Sequence, residues 1–296
     1  MSKKAFNQQK IAPYLFVAPF ILIFIFFSMY PLFDAFKMSF QEVNGFDDVT
    51  LIGLDNYIRL IKDPVFYKAL WNVLRYTFWT CLILIPFPML VAIVMNYQGT
   101  PFKSFFRSLY FMPVLTSSVI IGIVFKFAFS KQPTGVFNTF LSHFGVGPVN
   151  WLNGSSTGMF ALIIICVWRW LGVNMIYFLS GLQGIPVELY ESADVDGAST
   201  FQKFKNITVP LLKPITVYVL TISILAGFSL FNESYVYWGT ASPNNIGTTL
   251  VTMIYKFAFE QGDYGYACAL GVVMFLIVVT FNGVQIKLTG LFKEDN

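Results

Sequence analysis

The sequence predicts an all-α integral membrane protein with six transmembrane helices. Of the 296 residues, 56% are hydrophobic and 11% are charged, whereas about a quarter of the residues of a soluble protein are charged. Six apolar runs reach or approach the roughly 20 residues that a helix needs to cross the hydrocarbon core of a bilayer. A helix satisfies its own backbone hydrogen bonds, which allows it to cross where water is absent.

The six predicted spans follow one another along most of the sequence. They are residues 15–33, 76–97, 108–129, 158–182, 212–235 and 264–286. The first run follows lysines, as a secretory signal core does, but its 19 residues exceed the typical length of such a core and no small-x-small cleavage site follows, so we interpret it as a retained span. Pro86, Pro88 and Pro113 are expected to kink the second and third spans, because proline removes a backbone donor.

The lysines predict the orientation of the spans. Lys3, Lys4 and Lys10 precede the first span without an acidic residue, and the positive-inside rule places such a segment in the cytoplasm. Six crossings return the chain to the same side, so the tails at 1–14 and 289–296 are both predicted to be cytoplasmic. The net charge of +4 is explained by inner lysines near anionic lipid, without a nucleic acid. We expect a multi-pass protein of a bacterial plasma membrane.

The segments between spans differ in character. Apolar residues at near-helical spacing on either side of Asp63 and Pro64 predict two short amphipathic helices on the outer surface. The later outer loops, 130–157 and 239–263, are rich in Gly, Pro, Ser and Asn and predict turns and caps that a partner could touch. The sequence shows no internal repeat of the kind that builds a complete carrier from one chain, which predicts that a partner subunit completes any solute pathway.

A polar segment, residues 186–210, interrupts the apolar spans. Pro186 and Glu188 favour a helix start, because proline is tolerated in the first turn and an acidic side chain suits the positive end of the helix dipole. This helix is predicted to run from about 187 to 195, and Asp196 with Gly197 then predicts a sharp turn.

A second short helix is predicted after this turn. Ser199 or Thr200 can cap it, and Phe201, Phe204 and Ile207 form an apolar stripe. The helix is predicted to stop at Pro210, where the next span starts. On physical grounds alone the whole segment is either a connector that rests on lipid headgroups or a docking knob for a soluble partner.

The same segment resembles the EAA loop of permease subunits of binding-protein-dependent ABC importers. The resemblance rests on Glu191, Ala193, Asp196-Gly197-Ala198, Phe204, Ile207, Pro210 and Pro214, with Ser192 in place of a usual alanine. In that family a short coupling helix in this loop sits in a groove of the cytosolic ATPase, where Glu191 would pair with a basic residue. The resemblance thus implies coupling roles for Tyr190, Glu191, Ser192, Ala193, Asp196, Gly197, Ala198, Phe204 and Pro210.

Further motifs narrow the resemblance to carbohydrate permeases of the maltose and glycerol-phosphate type. They are Gly181-Leu182-Gln183, Ile185-Pro186, Glu188-Leu189-Tyr190, Asn232-Glu233, Ser242-Pro243, Thr248-Thr249-Leu250, Ala258-Phe259 and Tyr264-Gly265-Tyr266-Ala267. This resemblance implies the type I ABC importer permease fold and import of a sugar or oligosaccharide. It also implies three protein partners: a cytosolic ABC ATPase dimer, a second homologous permease, and an extracellular solute-binding protein.

The sequence predicts a transporter subunit and not an enzyme. It contains no GxxxxGK[ST] loop to cradle a nucleotide phosphate, so ATP and Mg²⁺ are expected to be used by the partner ATPase, and no cofactor is expected on this chain. Cys81, Cys166 and Cys268 lie in separate predicted spans, apart from the single histidine, His143, so neither catalytic residues nor a metal site is predicted. The alternatives left open are a permease of the same class for a polyol or glycerol phosphate, and an ion-coupled secondary carrier.

Polar and aromatic side chains of the fourth and fifth spans are the candidates for solute contact. Polar groups within spans tend to face cavities or partner helices. The predicted substrate-binding residues are Trp170, Asn174, Tyr177, Phe228, Ser229, Phe231, Asn232 and Glu233, with Arg169 and Trp168 beside them. Other interpretations stay open: the tryptophans belong to an interfacial belt, Arg169 and Glu233 form a structural pair, or the sister permease holds the main site.

Overall fold

The computed structural model describes residues 3–43, 49–97 and 99–290. Within these residues the chain is helical apart from one short hairpin and the connecting loops, which confirms the all-α prediction. The predicted cytoplasmic tails lie partly outside the described residues, at positions 1–2 and 291–296. The chain divides into two compact units, Met1–Asp63 with Ile254–Val273 and Pro64–Met253 with Met274–Asn296.

The first unit contains the first span and a small folded region that follows it. Its elements are helix α1 (Lys3–Phe24), a π-helical turn (Ile25–Met29), α2 (Tyr30–Met38), strands β1 (Gln41–Val43) and β2 (Val49–Leu51), α3 (Asp55–Lys62), a second π-helical turn (Lys256–Glu260) and the start of the last helix, Tyr264–Thr289. The strands pair antiparallel, with Gln41 opposite Leu51. The sequence does not predict this hairpin, because three residues are too few to show the alternation of a strand.

Two side chains of α3 hold this region together. The Asn56 amide is buried and donates to the backbone carbonyls of Ser39 and Gln41, each at 3.0 Å. Arg59 forms an ion pair of 2.6 Å with Asp263, and its guanidinium carbon lies 4.1 Å from the ring centroid of Tyr266. The two hydrogen bonds of Asn56 avoid the cost of leaving its buried amide unpaired.

The second unit contains most of the remaining spans. Its elements are α4 (Pro64–Leu84), α5 (Pro86–Asn96), α6 (Lys103–Leu115), α7 (Ser118–Ala128), α8 (Val136–Ser142), α9 (Ser155–Gln183), α10 (Val187–Val195), α11 (Thr200–Lys203), a π-helical turn (Phe204–Thr208), α12 (Val209–Leu211), α13 (Lys213–Phe228), α14 (Asn232–Trp238), a 3₁₀ turn (Pro243–Asn245) and most of α15 (Leu250–Tyr255). The last helix, Tyr264–Thr289, is called α16. Helix α9 is central and packs against α4, α5, α6 and α13.

Glycine allows α9 to approach α6 closely. At Gly172 the backbone of α9 lies against the backbone carbonyl of Tyr110 on α6, and a side chain at this position would collide with that carbonyl. Glycine is the residue that permits such a backbone contact, because it has no Cβ atom. The crossing point of the two helices is therefore fixed by this single position.

Five helical stretches of the described residues are long and apolar enough to cross a bilayer. They are Ile11–Met38, Pro64–Asn96, Ser156–Gln183, Lys213–Trp238 and Tyr264–Thr289. Helices α6 and α7 meet the same criterion only as a pair, and they are bent by 95° at their junction. The six predicted spans are present if this pair counts as one, but the predicted continuous third span is two helices.

The break in the second span follows from its prolines. Helix α4 ends at Leu84 and α5 begins at Pro86. Pro86 and Pro88 supply no backbone N–H to the carbonyls four residues before them, so the helix is interrupted where the sequence predicts a kink.

The break in the third span lies at a different position from the one predicted. Pro113 lies inside α6, and the interruption comes at Thr116 and Ser117, whose ψ angles of 139° and 134° belong to extended backbone. Serine and threonine side chains compete with the backbone for hydrogen bonds and favour helix ends over helix interiors. The hydroxyl-bearing residues, and not the proline, mark the bend.

The outer loops also differ from their predictions. The first predicted amphipathic helix is α3, but the second is not separate, since α4 begins at Pro64 and runs without a break into the second span. No proline or glycine interrupts residues 65–84, which explains the continuity. The loops at 130–157 and 239–263 contain α8 and α15 in addition to turns.

Candidate functional site

A polar cavity of about 380 Å³ lies in the second unit between α4, α9, α13 and α14. Six of the eight predicted substrate-binding residues line it: Trp170, Asn174, Tyr177, Ser229, Asn232 and Glu233. The chain between α13 and α14, from Ser229 to Phe231, is not helical. Irregular backbone at membrane depth is tolerated where it is buried in protein or lines a cavity, and this break does line one.

A buried ion pair joins the helices around the cavity. Arg169 Nη1 lies 3.0 Å from Glu233 Oε1, and each side chain is 15% exposed. The same nitrogen donates to Ser118 Oγ at 2.8 Å. Charges inside a membrane protein are costly unless they are paired, and this pairing links α9 to the first turns of α7 and α14. Arg169 and Glu233 are the charged residues among those that line the cavity, so their charges cancel.

Asn174 has a structural partner within the cavity wall. Its amide nitrogen is buried and donates to the Leu84 carbonyl at 3.0 Å. Pro88, four residues after Leu84, has no N–H to offer that carbonyl. The amide of α9 therefore satisfies a backbone group that the proline break leaves without its helical donor.

The other predicted residues of the cavity are held less tightly by the protein than Asn174. The ring of Tyr177 packs edge-on against Tyr218, with centroids 5.2 Å apart. Ser229 Oγ donates to the Leu225 carbonyl at 2.9 Å, which leaves its oxygen able to accept a hydrogen bond. Asn232 is exposed at the start of α14, where its amide can reach a solute.

Three aromatic candidates face other surroundings. Phe228 is buried and packs against Phe281 with centroids 5.7 Å apart, and it lines a separate apolar groove of about 410 Å³. Phe231 stacks on Tyr235 at 5.1 Å. Trp168 lines an apolar groove of about 690 Å³ between α4 and α9. None of the three is among the residues that line the polar cavity, although all three stay predictions for solute contact.

Several polar residues that line the cavity are not among the residues predicted from the sequence. They are Tyr76, Thr80, Ser118, Cys166 and Ser223. A hydroxyl group within an apolar span is itself a signal for a cavity or a helix contact, and this signal identifies Thr80 and Ser223. Ser118 carries no signal of its role as a partner of Arg169, which depends on the bend between α6 and α7.

The two helices that begin after breaks, α7 and α14, pack side by side. A Cβ atom at Gly122 would lie 2.9 Å from the Val236 side chain, so the absence of a side chain permits the contact. Lys126 Nζ donates to the Val236 carbonyl at 3.0 Å, which places a cation at the C-terminal end of α14 where the helix dipole favours it. Arg169 holds the other ends of the same helices together.

The polar segment at 186–210 has the predicted helix-turn-helix form. Helix α10 covers Val187–Val195 as predicted, and Gly197 has a φ of +72°. The Ala198 amide donates to the Ala193 carbonyl at 2.9 Å, which closes the helix end in the manner favoured by a left-handed glycine. Ser199 is the cap of the second helix and forms a capping box with Gln202, as one of the two predicted options.

The segment contacts the membrane helices through Phe204, which packs against the apolar cluster that contains Leu182 and Leu212. Within the segment, Tyr190 Oη and Thr208 Oγ1 are 2.9 Å apart. Phe201 lies beside Phe204 in the predicted stripe, with ring centroids 6.5 Å apart, but it is 69% exposed. The second helix continues past the predicted stop, because a π-helical turn precedes Pro210 and places it in the first turn of α12.

The outward surface of the segment combines acidic and apolar groups. Glu191, Ser192 and Asp196 are exposed, and Val195 is 89% exposed. Ala193 and Ala198 are half-buried beside the turn. A knob with exposed apolar side chains and a free carboxylate has the composition of a contact surface for another protein.

Comparison with known proteins assigns the class. Residues 84–286 match the family of binding-protein-dependent transport system inner membrane components. This match covers more than half of the 296 residues, so the chain belongs to that family. It is a permease component of an inner membrane, and the predictions of a multi-pass membrane location and of transport in place of catalysis are confirmed.

Individual relatives agree with this class over almost the whole chain. The sequence is 48% identical to the arabinooligosaccharides transport system permease protein AraP of Bacillus subtilis, over 98% of this chain and 92% of AraP. It is 32% identical to the lactose transport system permease protein LacF of Rhizobium radiobacter, over 92% of each chain. A permease chain in the crystal structure of a bacterial ABC transporter involved in alginate import superposes with a TM-score of 0.85, at 22% identity over 99% of this chain and 100% of that one. The predicted importer-permease fold is confirmed.

Proposed function

We propose that this chain is the transmembrane permease subunit of an ATP-driven importer that translocates a sugar or oligosaccharide. The polar cavity with its internally neutralised ion pair carries the proposal, because it offers many hydrogen-bonding groups and no net charge. In the proposed assembly an extracellular binding protein delivers the solute, and a second, homologous permease completes the pathway.

The lining of the cavity suits a polyhydroxylated solute. Ser229, Asn232 and Ser223 supply small polar groups, and Trp170 and Tyr177 supply aromatic faces. Arg169 Nε is buried and has no hydrogen-bond partner among the described residues, so a solute could reach this N–H only after the surrounding side chains move. Ligand sites of this kind use a few polar groups to orient a molecule that is otherwise held by apolar and aromatic contact.

The charges of the cavity favour a neutral solute over a phosphate ester. A phosphate group requires cationic partners that are not already engaged, and Arg169 is engaged by Glu233 at 3.0 Å. Two relatives whose names give the solute, AraP for arabinooligosaccharides and LacF for lactose, transport oligosaccharides. We therefore place a neutral oligosaccharide first, with arabinose-containing chains ahead of others, and a polyol or glycerol phosphate second.

The coupling role falls to the segment at 186–210. In the proposed assembly a cytosolic ABC ATPase dimer binds ATP and Mg²⁺, and this chain binds no cofactor. Helix α10 docks in a groove of the ATPase with Glu191 against a basic residue, and Tyr190, Ala193, Gly197 and the other EAA-loop residues shape that contact. Closure of the ATPase dimer then moves the attached membrane helices.

Uptake by the complete importer tests the proposal. The chain is reconstituted in proteoliposomes with its second permease, ATPase and binding protein, and uptake of labelled arabinooligosaccharide, lactose, glycerol and glycerol 3-phosphate is measured with ATP inside. We expect ATP-dependent uptake of an oligosaccharide. Uptake driven by an ion gradient without ATP would identify a secondary carrier, and uptake restricted to glycerol phosphate would reject the neutral solute.

Two tryptophans separated only by Arg169 provide a matched pair for the cavity itself. Trp170→Ala removes a ring that lines the polar cavity, whereas Trp168→Ala removes one that lines the apolar groove. We expect Trp170→Ala to raise the solute concentration needed for half-maximal uptake more than Trp168→Ala does, because only Trp170 lines the cavity. Equal effects of the two substitutions would remove the cavity from the proposed pathway.

A further inference from the structure

Residues 129–154, called the aromatic loop below, connect α7 to α9. The loop contains no aspartate or glutamate and one lysine, Lys131. Residues 39–63, the folded part of the first unit, carry five acidic residues and two basic ones. A loop so poor in charge is unusual for a surface that meets only water.

A buried asparagine gives the aromatic loop a fixed shape. Asn138 is 2% exposed, and its amide nitrogen donates to the carbonyls of Ser130, Gln132 and Val149 at 3.0 to 3.1 Å. Its oxygen accepts from the Val149 amide at 3.0 Å and from Trp151 Nε1 at 2.9 Å. One side chain therefore ties the start, middle and end of the loop together.

Aromatic contacts set the depth of this frame relative to α9. The Phe137 ring stacks on Phe129 at 4.3 Å and lies 5.9 Å from the Trp151 ring, which in turn lies 6.1 Å from Phe160 near the start of α9. Helix α9 has 29 residues and is about 43 Å long, whereas the hydrocarbon core is about 30 Å thick. Phe160 lies near the start of the candidate span Ser156–Gln183, so the frame packs against one end of that span.

The same frame holds apolar side chains outward. Val136 is 66% exposed, Phe140 61% and Phe144 70%, and the rings of Phe140 and Phe144 touch edge-on with centroids 5.2 Å apart. Phe137 and Leu141, on the neighbouring face, pack against the core. The exposed rings are thus fixed in place by their neighbours, and leaving them in water is unfavourable.

We propose that α8 and the turn that follows it form an interfacial anchor, in which the rings of Phe140 on α8 and Phe144 in the turn insert between lipid headgroups beside the permease. Three observations favour lipid over a protein partner: both ends of the loop join helices of candidate spans, the loop carries no carboxylate that would repel lipid phosphates, and its fixed frame packs against the end of one of these spans. Interfacial helices bind at the boundary between headgroups and acyl chains through an apolar face that carries phenylalanine and other apolar side chains. This inference does not rest on the solute that the permease carries.

Site-directed fluorescence quenching tests the anchor in the full chain. Cys81, Cys166 and Cys268 are replaced by alanine, and a bimane label is attached at Phe140→Cys in nanodiscs of phosphatidylethanolamine and phosphatidylglycerol. We expect loss of fluorescence with lipids that carry a doxyl group near the top of the acyl chain, and little loss with aqueous iodide. Val136→Cys is a second site with the same expectation, in case the first variant fails to fold.

Ser142 provides the matched control. It is exposed and stands two residues from Phe140, which places it about 200° around the same helix. A label at Ser142→Cys is expected to be quenched by iodide and not by the doxyl lipid. Iodide quenching at position 140 equal to that at 142 would overturn the anchor, and protection of position 140 from both quenchers would overturn it in favour of a protein contact.

Discussion

The segment at 186–210 and the polar cavity are built in opposite ways. In the segment, the side-chain bonds join residues close in sequence: Ser199 with Gln202, Lys203 with Asp194, and Tyr190 with Thr208, the longest step being 18 residues. In the cavity, Arg169 reaches 51 residues back to Ser118 and 64 residues on to Glu233, and Asn174 reaches 90 residues back to Leu84.

This difference separates a part that keeps its own shape from a part that depends on how the helices pack. A segment closed by local bonds retains its form when the membrane helices shift. A cavity whose wall is joined by long-range bonds changes whenever two of its helices separate. We therefore expect the segment to move as a rigid piece and the cavity to open and close.

The largest expected effect comes from the ion pair of the cavity. Glu233→Ala leaves the Arg169 guanidinium buried without its anion, and removal of one partner of a buried pair typically costs about 3–5 kcal/mol. The matched control is Asp194→Ala, which removes a partner of Lys203 in a pair whose carboxylate is 61% exposed and which is expected to cost less than about 1 kcal/mol. Thermal unfolding of both variants in one detergent checks the difference, and equal losses would contradict the contrast between the regions.

A substitution at Glu191 is expected to change the binding of the partner ATPase and not the stability of this chain. The carboxylate is exposed, so Glu191→Ala should leave the unfolding temperature of the isolated permease unchanged. Loss of one member of an interfacial charge pair costs about 2–5 kcal/mol of binding free energy, so affinity for the ATPase should fall and ATP hydrolysis should no longer drive uptake. Glu188→Ala, one turn earlier on the same helix, is the control, and normal uptake by Glu191→Ala would remove it from the docking contact.

A substitution at Asn174 tests whether its hydrogen bond to the Leu84 carbonyl replaces the helical bond that Pro88 cannot make. Asn174→Ala leaves the Leu84 carbonyl without its donor, at a cost of about 1–3 kcal/mol of unfolding free energy. Pro88→Ala provides a backbone N–H four residues after Leu84, so the cost of Asn174→Ala should be smaller in that background. A double-mutant cycle with no coupling between positions 88 and 174 would reject this explanation.

Gly197 gives the smallest expected effect, confined to the segment. Its φ of +72° is the left-handed region, where a side chain costs about 1–2 kcal/mol, and no atom within 4 Å would meet an added Cβ. Gly184→Ala is the control, because Gly184 has a φ of −84°. Gly197→Ala should lower stability and coupling slightly more than Gly184→Ala, and an identical effect would show that the turn does not require glycine.

The sequence predicts the segment at 186–210 more completely than the polar cavity, because the bonds of the segment are local and those of the cavity are long-range. Helix α10 and its turn follow from Pro186, Glu188 and Gly197, which act on their immediate neighbours. Trp170 and Asn232 can be identified as cavity residues because polar and aromatic groups in a span need a reason to be there.

What the sequence does not predict depends on distant contacts. The role of Asn174 requires knowledge that Leu84 lies beside it, and the role of Ser118 requires the 95° bend between α6 and α7. Phe228 is an aromatic residue of the kind expected to contact a sugar, but its ring faces Phe281 and not the cavity. The β hairpin escapes prediction because its strands have three residues each.

The backbone contact between Gly172 and Tyr110 gives α9 the properties of a lever with a fulcrum. Because no side chain separates the two helices there, they can tilt about this point but cannot come closer. The fulcrum lies about 16 Å from the end of α9 at Gln183, next to the polar segment, and about 25 Å from its start at Ser155. If α9 moves as a rigid rod, we expect a push on the short arm to swing the long arm in the opposite direction and about one and a half times as far. Spin-label distances from α6 to the two ends of α9 should change with opposite sign during the transport cycle.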